Sequence, residues 1–191
     1  MELTNLVERA LQFALNAHAG MKRKLVKTPY ILHPMEVATI AASMTTDEDI
    51  IAAALLHDVV EDTDFGIEVI REKFGDRVAE LVLTETENKR LDLDPKDTWL
   101  IRKQESLDVL AASDTAAKIL WLSDKLSNMR SFYREFLLMG DEMWQHFNQK
   151  DKNMHRWYYA EIAKLTKELS GFTAWKEYDH LVRRIFGGDN E

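Results

Sequence analysis

The sequence predicts an all-α fold, a single compact helical bundle of about eight to ten helices spanning residues 1–191. Three observations carry that expectation. Only 7 Gly and 3 Pro occur in 191 residues, so turns are few and elements are long. Apolar residues recur at spacings of three and four, which lines one face of a helix. No segment shows the bounded, alternating pattern of a strand.

The elements follow in order. Residues 3–19 carry Leu6, Val7, Ala10, Leu11, Ala14 and Leu15 as a helical stripe. Residues 19–30 hold Gly20, Pro29 and the bases Lys22, Arg23, Lys24 and Lys27, and read as a loop. His33-Pro34 opens a second helix, with Pro34 in the first turn where a missing N–H does no harm. Thr46 with Asp49 reads as a capping box for a third helix running unbroken through His57 to about Asp62. Residues 67–74 form a short helix ended by Gly75, and 76–85 form another. Residues 88–97 are a polar loop and 98–112 a helix. Asp114 caps a long helix bearing Ile119, Leu120, Leu122, Leu126 and Met129. Residues 149–169 and 174–186 are the last helices, and the tail from Gly187 frays.

Composition narrows the function. The chain is 46% hydrophobic and 30% charged, as soluble globular domains are. A net charge of −8 argues against nucleic-acid or anionic-membrane partners, while leaving room for a local basic pocket that takes a phosphorylated small molecule. The lack of Cys excludes disulfides, thiolate metal sites and a Cys nucleophile. The first twenty residues are amphipathic with acidic residues among them, unlike a signal peptide, and no apolar run reaches about 18 residues. A cytoplasmic location is expected. The oligomeric state is not readable.

The richest chemistry lies in His57-Asp58-Val59-Val60-Glu61-Asp62. On a continuous helix His57 stands over Glu61, and Asp58 over Asp62. An imidazole beside a carboxylate is a metal-ligand arrangement, and two further carboxylates one turn on are proton partners for a water. Three other residues bear on it. His33 stands at a helix start beside the basic loop, where a lone His is most often structural. Asp124 lies in the apolar stretch Ile-Leu-Trp-Leu-Ser-Asp, where a carboxylate is costly unless paired or metal-bound. The plain alternative is an ion pair to Lys125 or Arg130. Asn128 follows one turn later on the same face and alone reads as a surface amide.

In combination these segments resemble a known family. His, then His-Asp, then a distant Asp, each in a helical context, is similar to the HD phosphohydrolase superfamily. Arg23-Lys24, Thr28-Pro-Tyr-Ile-Leu-His-Pro34, Ala54-Leu-Leu-His-Asp-Val-Val-Glu-Asp-Thr63, Phe74-Gly-Asp-Arg-Val-Ala-Glu-Leu-Val82 and Leu122-Ser-Asp-Lys-Leu-Ser-Asn-Met-Arg130 resemble the hydrolase domain of the RelA/SpoT family, from about residue 5 to 186. The resemblance implies an HD-domain bundle that hydrolyses the 3′-pyrophosphate of guanosine tetra- and pentaphosphate with Mn²⁺. It implies His33, His57, Asp58 and Asp124 as metal ligands. Glu61 and Asp62 would orient or deprotonate the attacking water. Asn128 would hold the nucleotide, Arg23 and Lys24 the base and phosphates, and Lys89 the pyrophosphate. Two imidazoles and two carboxylates also suit Fe²⁺, Zn²⁺ or Co²⁺.

The chain departs from the family pattern in two places. After Arg23-Lys24 it reads Leu25-Val26-Lys27, without the family's Gly. After Leu83 it reads Thr84-Glu85-Thr86-Glu87-Asn88-Lys89, which is more acidic. The first departure motivates an alternative within enzymes, hydrolysis of an adenine alarmone or an NADPH-like nucleotide. A different class, a catalytically inactive nucleotide-binding regulator, stands against the intact ligand set. Elsewhere, His18 reads as structural, and His146, His155 and His180 as solvated on polar helix faces. Trp144, Trp157, Tyr158, Tyr159 and Trp175 read as core or interface.

Overall fold

The computed structural model describes residues 5–23, 27–90 and 92–187. Ten α-helices make up the described fold, and no strand occurs among them. They are α1 (Leu6–Ala17), α2 (Leu32–Ala42), α3 (Glu48–Leu56), α4 (Val59–Asp62), α5 (Ile67–Phe74), α6 (Asp76–Glu85), α7 (Trp99–Ala112), α8 (Thr115–Met139), α9 (Lys152–Leu165) and α10 (Thr173–Phe186). Short 3₁₀ turns at Gly140–His146 and Lys167–Leu169 flank α9.

Two helices organise the core. In α3, Ile50, Ala52, Ala53, Ala54, Leu55 and Leu56 are all buried, so it is apolar on every side. Its three alanines let α1, α2, α6 and α8 pack close around it. The 25-residue α8 runs beside it, burying Leu120, Trp121, Leu122, Leu126 and Met129, and α10 lies along its other flank. Buried within this apolar setting are His33 on α2, His57 after α3 and Asp124 on α8.

Most helix ends fall where the sequence puts them. Asp114 caps α8 by accepting from the Ala117 N–H at 2.9 Å. Gly75, at φ +94°, makes the sharp corner between α5 and α6. Other expectations need correction. Helix α1 starts at Leu6, with the Asn5 side chain capping Val7 and Glu8. The third helix is capped by Asp47, which accepts from Asp49, and not by a Thr46–Asp49 box.

That third helix is also not continuous. It ends at Leu56, and a turn at His57-Asp58 separates it from the single turn of α4. The His57 side chain folds back so that Nδ1–H donates to the Ala54 carbonyl at 2.9 Å, an acceptor that continuation of the helix would use. The expected pairing of His57 over Glu61 is lost. His57 instead turns toward Asp58 and Asp124, while Glu61 turns toward Lys89. The register of Asp58 and Asp62 survives, with the Asp62 N–H on the Asp58 carbonyl at 2.9 Å.

The segment expected as one helix over 149–169 begins at Lys152, capped by Asp151, and ends at Leu165. There the buried Thr166 hydroxyl bonds the Ile162 carbonyl at 2.7 Å. His155 on this helix is buried, not solvated. Trp144 stacks on it at 4.7 Å and Trp99 meets it edge-on at 5.4 Å. Trp144 arrives from the 3₁₀ turn, a cover that helical periodicity does not reveal. His146 and His180 are exposed as expected.

Candidate active site

Two helices and one turn bring four side chains together. His33 comes from the first turn of α2, His57 and Asp58 from the turn after α3, and Asp124 from the middle of α8. His33 Nε2 lies 3.0 Å from Asp124 Oδ1 and 3.5 Å from Asp58 Oδ2. His57 Nε2 lies 3.1 Å from Asp58 Oδ2 and 3.6 Å from Asp124 Oδ1. The two imidazoles meet edge to face at 5.2 Å.

Both imidazoles are held in one tautomer. Nδ1–H of His57 is spent on the Ala54 carbonyl. The Ser127 hydroxyl donates to Glu36 Oε2 at 2.8 Å, so its oxygen accepts from His33 Nδ1–H at 2.9 Å. Each ring therefore turns an Nε2 lone pair toward the two carboxylate oxygens. Donor atoms of His33, His57 and Asp58 lie within 4.8 Å of one another, Asp124 Oδ1 reaches both imidazoles, and the buried His57 Nε2 has no hydrogen-bond partner. A divalent cation satisfies that arrangement; nitrogen and carboxylate donors of this kind suit first-row metals.

Without a cation the same convergence favours a proton on His57 Nε2, in competition with a metal. Burial works to lower the His57 pKa, but the Asp58 and Asp124 carboxylates outweigh it and hold it well above the ordinary value. Burial also opposes ionisation of Asp58 and Asp124. His57 outweighs it for Asp58, and Lys125 with the two imidazoles does so for Asp124, so both acids stay ionised well below the usual range. The cluster draws positive charge to its centre.

Beside the cluster opens a cavity of about 690 Å³. Six cations line it, Lys22, Arg23, Lys89, Arg102, Lys103 and Lys125, alongside the carboxylates of Asp58, Glu61, Asp62, Glu85, Glu87 and Asp124. Six cations thus gather in one cavity of a chain of net charge −8, each balanced in number by a carboxylate.

The sequence-derived site residues fall as follows. Glu61 and Asp62 line the cavity from α4. Burial, with help from Asp58 and Glu87, raises the Glu61 pKa against the opposing pull of Lys89. Lys89 reaches α4 and donates to Asp62 Oδ1 at 2.6 Å and to the Glu61 carbonyl at 2.7 Å. Arg23 Nη2 donates to Asn128 Oδ1 at 3.0 Å, and Asn128 Nδ2 donates to Asp124 Oδ1 at 2.7 Å, which ties the basic loop to the cluster. Lys24, like Leu25 and Val26, lies outside the described residues.

Other cavity residues were not foreseen. Tyr30 hydroxyl lies 2.6 Å from Asp58 Oδ2 and 2.8 Å from Asp62 Oδ2. The signal for it was present, since Tyr30 sits three residues before His33 in the Pro-flanked segment. Lys125 makes the ion pair with Asp124 that the sequence offered, at 2.5 Å, and also reaches the buried Glu85 at 3.0 Å. Burial first, and then Asp124, push the Glu85 pKa up to about 7 against the pull of Lys125. Glu87, from the acidic departure after Leu83, accepts from Lys103 and from Arg102 at 2.7 Å. Arg102 and Lys103 reach the cavity only because α7 folds back over it, and no local pattern marks them.

Comparison with known proteins follows the same lines. The HD domain family profile matches residues 10–150. The chain is 39% identical over 127 residues to the guanosine-3′,5′-bis(diphosphate) 3′-pyrophosphohydrolase of Aquifex aeolicus, covering 66% of this chain and 18% of that protein. It is 40% identical over 123 residues to the Drosophila melanogaster guanosine-3′,5′-bis(diphosphate) 3′-pyrophosphohydrolase MESH1, covering 63% of this chain and 65% of that one. The chain therefore spans less than two thirds of either relative. Among solved structures, a metazoan ortholog of SpoT described as hydrolysing ppGpp superposes with a TM-score of 0.75 at 27% identity, covering 96% of this chain and 97% of that one. A Listeria monocytogenes structure gives 0.71 at 32% identity, covering 82% and 99%. With the family profile covering most of its length, the chain belongs to the HD domain family.

Proposed function

We propose that this protein is a metal-dependent phosphohydrolase that removes the 3′-pyrophosphate from guanosine tetra- and pentaphosphate, giving GDP or GTP and pyrophosphate. One observation carries the reading: two imidazoles and two carboxylates converge beside a cavity lined by six cations and six carboxylates. The names of the Aquifex and Drosophila relatives and of the metazoan structure supply the substrate.

In this reading His33, His57, Asp58 and Asp124 hold a divalent cation, Mn²⁺ by the family resemblance. Bound there, the ion supplies Lewis-acid polarisation of a phosphoryl oxygen and acidifies an attacking water. The rest falls to the chain. Water attacks the phosphorus joined to the ribose 3′ oxygen, the P–O3′ bond breaks, and pyrophosphate leaves with the phosphorus. Glu61 and Asp62 take the water's proton and return one to O3′. The Tyr30 hydroxyl, 2.8 Å from Asp62 Oδ2, holds that carboxylate in place. Lys89 neutralises the pair, and Arg23 with Asn128 forms the nucleotide wall. The bases of the cavity offset the substrate's negative charge. Residues 1–191 act as one domain on a small nucleotide and not on nucleic acid. No helix among the described residues is long and apolar enough to cross a membrane, and a cytoplasmic site of action is in keeping with a nucleotide substrate.

The test is turnover by purified, manganese-loaded protein of the guanine 3′-pyrophosphates beside their adenine counterparts and NADPH. Equimolar GDP and pyrophosphate from the tetraphosphate supports the reading. Metal-loaded protein that leaves the guanine compounds intact while hydrolysing another nucleotide overturns it.

A further inference from the structure

A polar chain runs from His33 to the last helix. His33 Nδ1–H bonds Ser127 Oγ at 2.9 Å, and the Ser127 hydroxyl donates to Glu36 Oε2 at 2.8 Å. Arg130 Nη1 donates to Glu36 Oε1 at 3.1 Å. The same guanidinium grips Glu177 with both arms, Nε to Oε1 at 2.6 Å and Nη2 to Oε2 at 2.7 Å. Three helices contribute: α2 gives His33 and Glu36, α8 gives Ser127 and Arg130, and α10 gives Glu177. Glu177 lies beyond the residues that match the HD domain profile.

The direction of every hydrogen in the chain is forced. Arginine only donates and carboxylate only accepts. The single Ser127 hydrogen therefore points to Glu36, the Ser127 oxygen is left to accept, and the His33 proton sits on Nδ1. We propose that Glu36, with Glu177 acting through Arg130, is a positioning residue that fixes the His33 tautomer, so that α10 is part of the metal centre. The inference rests on the reading that the four-residue cluster takes a divalent cation. His57 offers the contrast, because its tautomer is set by the Ala54 main-chain carbonyl, which no substitution removes. Without the Glu36 carboxylate the Ser127 hydroxyl is free to turn and donate to Nδ1. That moves the His33 proton to Nε2, into the centre of the cluster, where it displaces a cation.

Two readouts on Glu36→Ala and Glu177→Ala test this. Histidine ring ¹⁵N signals of the metal-free protein report the tautomer and decide this inference alone. Manganese titration calorimetry of the wild type decides the metal reading separately. Expected for Glu36→Ala is a shift of His33 toward the Nε2–H form and roughly 10- to 100-fold weaker manganese binding. Glu177→Ala shifts both in the same direction by a smaller factor. Glu177 is the more exposed partner, at 37% against 29% for Glu36, and its variant decides the matter if Glu36→Ala does not fold. An Nδ1–H tautomer and wild-type manganese affinity in folded variants overturn the proposal.

Discussion

The Tyr30 hydroxyl lies 2.8 Å from Asp62 Oδ2, and 2.6 Å from Asp58 Oδ2 on its other side. One phenolic hydrogen links a proposed metal ligand to a proposed proton carrier. The ring is itself pinned, with His18 tilted against it at 4.9 Å and the Arg23 guanidinium 5.8 Å from its centroid. Tyr30→Phe removes the hydroxyl and keeps the packing. A hydrogen bond to a charged group is worth on the order of 1.5–3 kcal/mol, so kcat should fall about 10- to 100-fold with KM little changed. Steady-state pyrophosphate release measures both. A change confined to KM contradicts the role.

The ligand cluster predicts a metal-linked stability. A cation that binds only the folded chain at about 100 times its dissociation constant adds about 2.7 kcal/mol. For a chain of this size that raises Tm by roughly 5–10 °C. Manganese should produce the shift in the wild type and a chelator should reverse it. Asp124→Asn, which withdraws one charged donor, should abolish the shift together with turnover. Differential scanning calorimetry with and without metal provides the check.

In the proposed reaction, Glu61 sets the acid side of the pH profile. As a base it works only when ionised. Burial, and behind it the charges of Asp58 and Glu87, raise its pKa, so activity is lost on acidification at a higher pH than an ordinary glutamate, about 4.3, would give. Glu61→Gln should lower kcat by roughly 10²- to 10⁴-fold, the usual worth of a positioned acid–base group. Glu87→Gln removes one of the charges that raise Glu61 and should move the acidic limb of kcat/KM to lower pH. An unmoved limb counts against Glu61 as the base.

How much of this was legible in the sequence depends on the kind of signal. The all-α class and most helix limits followed from periodicity and from Asp114, Gly75 and Pro34, which act locally. His33, His57, Asp58 and Asp124 could be singled out because their order along the chain is itself a pattern, and the fold brings the four together. The break at His57-Asp58 could not be read, since it depends on a side chain competing for the Ala54 carbonyl. Arg102 and Lys103 were missed for a different reason, as was the reach of Lys125 past Asp124 to Glu85. Their partners Glu87 and Glu85 lie 15 to 40 positions away in the chain, so only the packing of α7 and α8 against α6 creates these ion pairs. His155 was misread because a polar residue at an apparently polar position was covered by Trp144 and Trp99 from other elements.

That buried histidine gives a pH prediction remote from the cluster. Burial lowers the His155 pKa below its ordinary 6.5, against a smaller opposing effect of the bond between Nε2 and the Gln149 carbonyl. The folded protein keeps the ring neutral, whereas the unfolded chain takes up a proton near pH 6.5. The unfolded state thus binds more protons below that pH, and stability is full above it and falls as pH drops through it. His18, also buried with a lowered pKa, adds to the wild-type trend. His155→Gln keeps a donor for the Gln149 carbonyl and removes one titrating group. Its Tm should therefore fall less than that of the wild type between pH 7.5 and about 5.5. Parallel Tm curves for the two proteins across that window would place the acid sensitivity in other groups.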